Sequence, residues 1–335
     1  MTWRDELSES ITDPTRLGIA HKLNDAYPLR ITPHLMGLMD LDNPRCPIRR
    51  QMVPHPRELA PGGQPDPLEE ESFQVEPGVL CRFGDRLLAL VSAGCPAHCR
   101  HCNRKRYWSA PGPVAGTKEI ARAVSNNPGV REVILSGGEP LLLSDRALND
   151  RLQAARSRSR VDLVRVHSRA PVTLPARITP GLVRTLKKHR PLWFVTHFNH
   201  AKELCAPAEK ALVRLRDAGI PLLNQAVLLR GVNDSVAAQA GLGRALLAAG
   251  VKPHYLFQLD RAAGTLHFQV SMQSALDIIA RLRAKHSGLI IPHLMVDLPG
   301  KDGKVPITPS AVLKLTERGT LLKTPQGRRV WYEDH

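Results

Sequence analysis

From about residue 85 the chain alternates short apolar runs with amphipathic stretches. An apolar run bounded by turn formers reads as a buried strand, and apolar positions three and four apart read as one face of a helix. On this basis strands fall at 87–93, 132–136, 163–167, 192–197, 222–227 and 254–258. Helices fall at 118–125, 145–155, 180–189, 207–218, 236–249 and 273–285. Thr179 and Pro180 suit the cap and first turn of one helix, and Gly219 and Gly250 suit the ends of two others. Strict alternation predicts an α/β fold with a parallel sheet and right-handed crossovers. Six units make a partial (β/α)6 barrel or an open sheet, where eight would close the ring.

The flanks read differently. Residues 1 to about 60 are helical and irregular, with a helix start at Thr12-Asp13-Pro14 and an apolar helix at 31–39 entered through Pro33. The stretch 61–67, Pro-Gly-Gly-Gln-Pro-Asp-Pro, is a turning linker. One further extended segment is predicted at 287–297, and a small β region at 309–335 with turns at Arg318-Gly319 and Gln326-Gly327. The expected division is an N-terminal helical extension and linker (1–80), a core (81–291), and a C-terminal segment with the small β region (292–335). No internal repeat is evident.

Composition narrows the class. The chain has 335 residues, 42% of them hydrophobic, which suits a globular protein with a sizeable core. No apolar run reaches the roughly eighteen residues needed to cross a membrane. The first residues carry no apolar signal core, so a cytoplasmic location is expected. Six cysteines are too few for a disulfide framework in a chain of this length. Cys46, Cys81 and Cys205 are scattered and read as ordinary thiols. The formal net charge of +16 raises the question of an acidic partner or nucleic acid. The basic residues are dispersed and aromatics are only 4%, so a solvated basic surface is expected first, an acidic partner second, and nucleic acid last.

Polar residues collect where the predicted strands end, which is where α/β folds place chemistry. The first strand runs into a loop with Cys95, Cys99 and Cys102 in the spacing C-x3-C-x2-C. The second is followed by Ser136-Gly137-Gly138-Glu139-Pro140, and the third by Ser168 and Arg169. The fourth ends in Thr196-His197-Phe198-Asn199-His200, the fifth carries Asn224 and Gln225, and the sixth ends at Asp260. Three thiolates on one tight loop suit an iron–sulfur cluster with one iron left open. Structural zinc normally takes four ligands in separated pairs. The loop is rich in His and Arg and makes a poor core, which weighs against three buried structural thiols.

The cysteine spacing is that of the radical S-adenosylmethionine (SAM) enzymes, and the chain resembles the lysine 2,3-aminomutases among them. The resemblance runs from about 31 to about 309. It rests on C-x3-C-R-H-C with the following Arg104-Lys105-Arg106, on SGGEP at 136–140, LPARIT at 174–179 and HFNH at 197–200. It rests also on the segment 224–234 and on Pro299-Gly300-x-x-Gly303-Lys304-x-Pro306.

The resemblance implies three cofactors: a 4Fe–4S cluster, SAM and pyridoxal 5′-phosphate (PLP). Cys95, Cys99 and Cys102 would bind three irons. Gly137, Gly138 and Glu139, with His197 and Gln225, match SAM-contacting positions. Lys304 matches the lysine that forms a Schiff base with PLP, and it is expected in a swinging Gly/Pro-rich loop. Arg82 and Arg86 would face the PLP phosphate. Arg104 matches the arginine that clamps the substrate α-carboxylate, and Asp260 and Asp297 match two carboxylates for the ε-ammonium of lysine. Two positions depart from the family: Phe83 stands where Tyr is common, and Ser235 where some members place a zinc-binding cysteine.

The implied reaction is a 1,2-amino shift that converts L-lysine to L-β-lysine. The implied partners are a small amino acid and an electron donor such as flavodoxin or ferredoxin. A homo-oligomer without zinc-linked exchange is expected. Alternatives are the same chemistry serving elongation factor P, a 2,3-aminomutase for another amino acid, and a non-catalytic cluster protein that binds RNA or protein.

Overall fold

The computed structural model describes residues 2–333. One sheet of ten strands runs in chain order: β1 (Gln74–Glu76), β2 (Val79–Phe83), β3 (Arg86–Leu90), β4 (Glu132–Ser136), β5 (Leu163–His167), β6 (Leu192–Thr196), β7 (Leu222–Val227), β8 (Lys252–Phe257), β9 (His293–Leu298) and β10 (Gly303–Pro306). Strands β3 to β9 are parallel, so six β/α units are followed by a seventh parallel strand. The edges are antiparallel, β1 and β2 on one side and β10 on the other. The architecture is the expected partial α/β barrel, and the extended segment near 287–297 supplies its seventh strand. The sheet crosses both expected boundaries, at 80 and at 291.

The six crossover helices are Thr117–Asn126, Asp145–Ala155, Pro180–Lys187, Ala206–Asp217, Val236–Ala248 and Met272–Lys285. Ser144, Thr179, Ser235 and Ser271 cap four of them by accepting a backbone N–H. Gly219 and Gly250 follow two of them with φ of +71° and +78°, a conformation that favours glycine. Alternation along each strand then sorts the two faces. Leu87, Ala89, Val133, Leu135, Val164 and Val166 are fully buried in the main core. Leu88, Ile134, Arg165, Tyr255 and Phe257 line a cavity instead.

Short helices and irregular chain fill residues 2–73, a stretch that includes the region to about 60 expected to be helical and irregular and the linker expected at 61–67. Asp13 caps the turn Pro14–Leu17, and Thr32 caps the helix Pro33–Leu38. The tail forms a separate antiparallel sheet of β11 (Val312–Thr316), β12 (Gly319–Lys323) and β13 (Arg329–Tyr332). Among the described residues, no helix is long and apolar enough to cross a membrane.

Candidate functional site

A cavity of about 340 Å³ lies at the carboxyl ends of the parallel strands. Every residue to which the resemblance gives a role lines it: the three cysteines, Gly137, Gly138, Glu139, His197, Gln225, Arg104, Asp260, Asp297, Arg82, Arg86 and Lys304; of the other polar residues at strand ends, Ser168, Thr196, His200 and Asn224 do not.

The cysteine loop is anchored from two sides. Cys102 N–H donates to Cys99 O at 2.8 Å, which closes the turn between them. Below, the loop after β4 lies against the chain entering the cysteine loop. Gly138 N–H donates to Ser92 O and Glu139 N–H to Gly94 O, both at 2.7 Å. A Cβ at Gly138 would stand 2.3 Å from Gly94 O, and one at Gly137 2.6 Å from Ser92 O, so the paired glycines are what permit this approach. Glu139 turns its carboxylate inward and accepts from the backbone of Leu141 and Arg169 at 3.0 and 2.9 Å. Burial pushes it up to about 7 although Ser168 and three backbone amides pull the other way.

The donor set fits an iron–sulfur cluster. Burial pushes the Cys95 thiol well up and Cys102 up to about 11, and the neighbouring cysteines add to both. Such sulfurs ionise together only when cations take the place of their protons. All three cysteines are free thiols on one loop, and thiolates are the usual ligands of such clusters.

Opposite the cysteines lies a charged group. Lys304 Nζ donates to Asp297 Oδ2 at 2.5 Å and sits 4.5 Å from the centre of the Phe257 ring. Sequence reading put Lys304 in a free loop, but it stands in β10, paired in register with Asp297 of β9. The reason is a hairpin: Gly303 turns with φ +64°, and its missing Cβ makes room for the Phe83 ring. Asp297 also accepts from Arg82 Nη1 at 2.7 Å. Arg82 donates its remaining nitrogens to the carbonyls of Gly300 and Leu298, so its guanidinium is engaged within the protein. Arg86 donates to its neighbour Asp85 at 2.8 Å and lies over the Phe83 ring at 4.7 Å, and its side chain is 34% exposed. Of the two arginines, Arg86 has the guanidinium better placed for a phosphate.

Asp260 accepts from Asn103 Nδ2 at 2.8 Å. Burial, then the charge of Asp297, pushes Asp260 up to about 7. His197 Nε2 lies 3.0 Å from Gln225 Nε2, and burial followed by Arg169 and Arg104 brings its pKa down to about 3. Its ring is therefore neutral.

Sequence reading missed several residues here. Glu70 grips Arg104, Asn103 holds Asp260, and Arg169 touches Cys99. His167, at the end of β5, lines the cavity edge-on to His197 with ring centres 6.1 Å apart. From the sequence, Arg169 reads only as a polar residue at a strand end. For Asn103, its place directly after Cys102 was the available signal.

Residues 90–239 match the radical SAM superfamily. The chain is 39% identical to L-lysine 2,3-aminomutase of Acetoanaerobium sticklandii over 92% of this chain and 76% of the relative. It is 39% identical to the enzyme of the same name from Fusobacterium nucleatum, over 96% and 76%. It is 34% identical to L-lysine 2,3-aminomutase of Escherichia coli, over 91% and 94%.

Proposed function

The chain belongs to the radical SAM lysine 2,3-aminomutase family, an isomerase family, and on that premise we propose that it moves the α-amino group of L-lysine to C3. The observation that carries this reading is the single cavity. Three cysteines, Lys304, Arg104 and the pair Asp260 and Asp297 all line it.

When bound, the cluster with SAM would supply a radical that takes hydrogen from carbon, and PLP would supply a conjugated π system that can delocalise unpaired spin while the nitrogen migrates. The chain's own residues hold, orient and enclose. Cys95, Cys99 and Cys102 would hold the cluster. The Gly137 and Gly138 backbone, with neutral His197 and Gln225, would hold SAM beside it. Lys304 would hold PLP covalently, with Arg86 toward its phosphate. Phe83 covers the Gly303 turn but brings no hydroxyl to that side.

Arg104 would take the substrate carboxylate. Its Nε and Nη2 are engaged by Glu70, and Nη1 has no partner among the described residues. Asp260 and Asp297 would take the distal ammonium, and Arg82 keeps Asp297 in place from behind. One cation against two carboxylates, at a fixed distance from Arg104, selects for both length and charge. An electron donor of the flavodoxin or ferredoxin type is part of the proposal, as are a cytoplasmic location and the functional division at 80 and 291.

The test is anaerobic. Reduced protein reconstituted with iron and sulfide is given SAM, PLP and a panel of amino acids. β-Lysine from lysine is expected, and turnover of a different amino acid in its place would refute the substrate. In parallel, borohydride treatment and peptide mapping should find the pyridoxyl group on Lys304, and a label elsewhere would refute that assignment.

A further inference from the structure

Arg169 follows β5 with a buried side chain, and each nitrogen of its guanidinium has a partner. Nε donates to His197 O at 3.1 Å. Nη2 donates to Gln51 Oε1 at 2.6 Å and to Glu203 Oε1 at 3.0 Å. Nη1 donates to Cys99 Sγ at 2.7 Å.

A structural salt bridge with Glu203 accounts for a buried cation here, but not for the direction of Nη1. Glu203 is fully buried and already bound by other donors. Its Oε2 accepts from the Asn199 and His200 amides, at 2.6 and 3.3 Å, and its Oε1 from Gln51 Nε2 at 2.8 Å. Gln51 in turn accepts from Asn199 Nδ2 at 2.9 Å. The scaffold of Gln51, Asn199 and Glu203 fixes the guanidinium plane and aims one N–H at a sulfur. Arg100, beside Cys99 in sequence, turns the other way and pairs with Glu58. Among the described residues, Arg169 is thus the side-chain cation that donates to a cysteine sulfur of the loop, while Cys102 Sγ accepts from the Arg104 backbone N–H at 3.4 Å.

We propose that Arg169 sets the reduction potential of the cluster by donating its Nη1–H to the Cys99 sulfur. The inference rests on the reading that the three cysteines hold a 4Fe–4S cluster. Hydrogen bonds to cluster sulfurs and local net charge are among the levers that tune such potentials. Reduction adds one electron to the oxidised 2+ cluster and gives the 1+ cluster, with no proton moved and no bond broken. The electron comes from a low-potential donor. The reduced form carries one more negative charge, so a fixed cation at the sulfur favours it over the oxidised form. Burial leaves that cation poorly screened. Glu203 opposes part of the effect, and its removal should act with the opposite sign. Arg169 is on this account a positioning and tuning residue.

The experiment is a redox titration of the reconstituted cluster without SAM, with dithionite as reductant and the reduced-cluster EPR signal as readout. Omitting SAM separates tuning of the cluster from any contact with SAM. At the wild-type midpoint, Arg169→Gln should lower the ratio of reduced to oxidised cluster at least tenfold. For a one-electron couple that is a downward shift of about 59 mV. Arg169→Lys should shift it down by less, and Glu203→Gln should shift it up. If Arg169→Gln does not load iron, Arg169→Lys and Glu203→Gln still give the two opposite signs. Unchanged midpoints in variants with full iron content would overturn the inference and leave the cluster reading standing. A wild-type protein that takes up no iron and sulfide would overturn both.

Discussion

Glu70 holds the Arg104 guanidinium with both carboxylate oxygens, Oε2 accepting from Nε at 2.9 Å and Oε1 from Nη2 at 2.5 Å. Arg106 Nη2 reaches the same carboxylate at 3.2 Å. A paired bond of this kind fixes the plane of the arginine as well as its position. On the proposed reading, the edge bearing Nη1 is the one left for the substrate carboxylate. Glu70→Gln should loosen that presentation and raise KM for lysine about tenfold, roughly 1.4 kcal/mol, with a smaller change in kcat. Steady-state kinetics on the reduced enzyme decide it, and an unchanged KM would show that Arg104 is oriented without Glu70.

Asp260 gives a pH dependence with a definite sign. Its carboxyl sits near 7 in the folded chain, against an ordinary value of 3.8, because of burial first and Asp297 second. A carboxyl raised in this way binds its proton more tightly folded than unfolded. Its contribution to stability therefore declines as pH rises from about 4 to about 7. Lysine keeps its ε-ammonium charged throughout that range. Asp260 should lose its attraction for that cation on protonation, so kcat/KM should fall as pH drops through about 7. Asp260→Asn should flatten that limb, raise KM, and stabilise the unloaded protein at alkaline pH. A wild-type profile without the limb would remove Asp260 from substrate binding.

Much of this organisation is legible in the sequence, for local reasons. Each core strand is an apolar run such as 132–136, and each crossover helix has its own cap or stop, as at Thr179 and Gly250. The cysteine loop and the glycine pair are short patterns fixed by ligand spacing and by backbone clearance. The edges of the sheet were harder. β10 is only four residues long, Gly303-Lys304-Val305-Pro306, and Gly303 closes the hairpin that pairs it with β9. The supporting partners were hardest. Glu203 lies 34 residues from Arg169 and Gln51 lies 118 away, and Glu70 lies 34 residues from Arg104. No periodicity links such pairs, since only the closed fold brings them together.

A buried triad beneath the cysteine loop is the stability test. Glu58 Oε2 accepts from Arg100 Nη2 at 2.6 Å and from Lys105 Nζ at 2.7 Å, and Arg100 and Glu58 are fully buried. Lys105 also reaches the Gly264 carbonyl at 2.9 Å. The triad ties the N-terminal segment to the cysteine loop and to the loop after β8. Removing one member of a buried ion pair leaves charge without compensation and costs about 3–5 kcal/mol. Glu58→Ala should lower unfolding stability by that amount in urea titration, and a loss below about 1 kcal/mol would show that solvent reaches the two cations.

On the proposed function, one cavity carries nitrogen from C2 to C3 of the same lysine, with Lys304 holding the second cofactor. The most direct measurement uses lysine labelled with ¹⁵N at the α-amino group, incubated anaerobically with reduced, cluster-loaded protein, SAM and PLP. NMR of the product should place ¹⁵N on C3 of β-lysine, and Lys304→Ala with the same iron content should form none. Labelled lysine returned unchanged by an enzyme that still cleaves SAM, or β-lysine formed equally well by Lys304→Ala, would contradict the account.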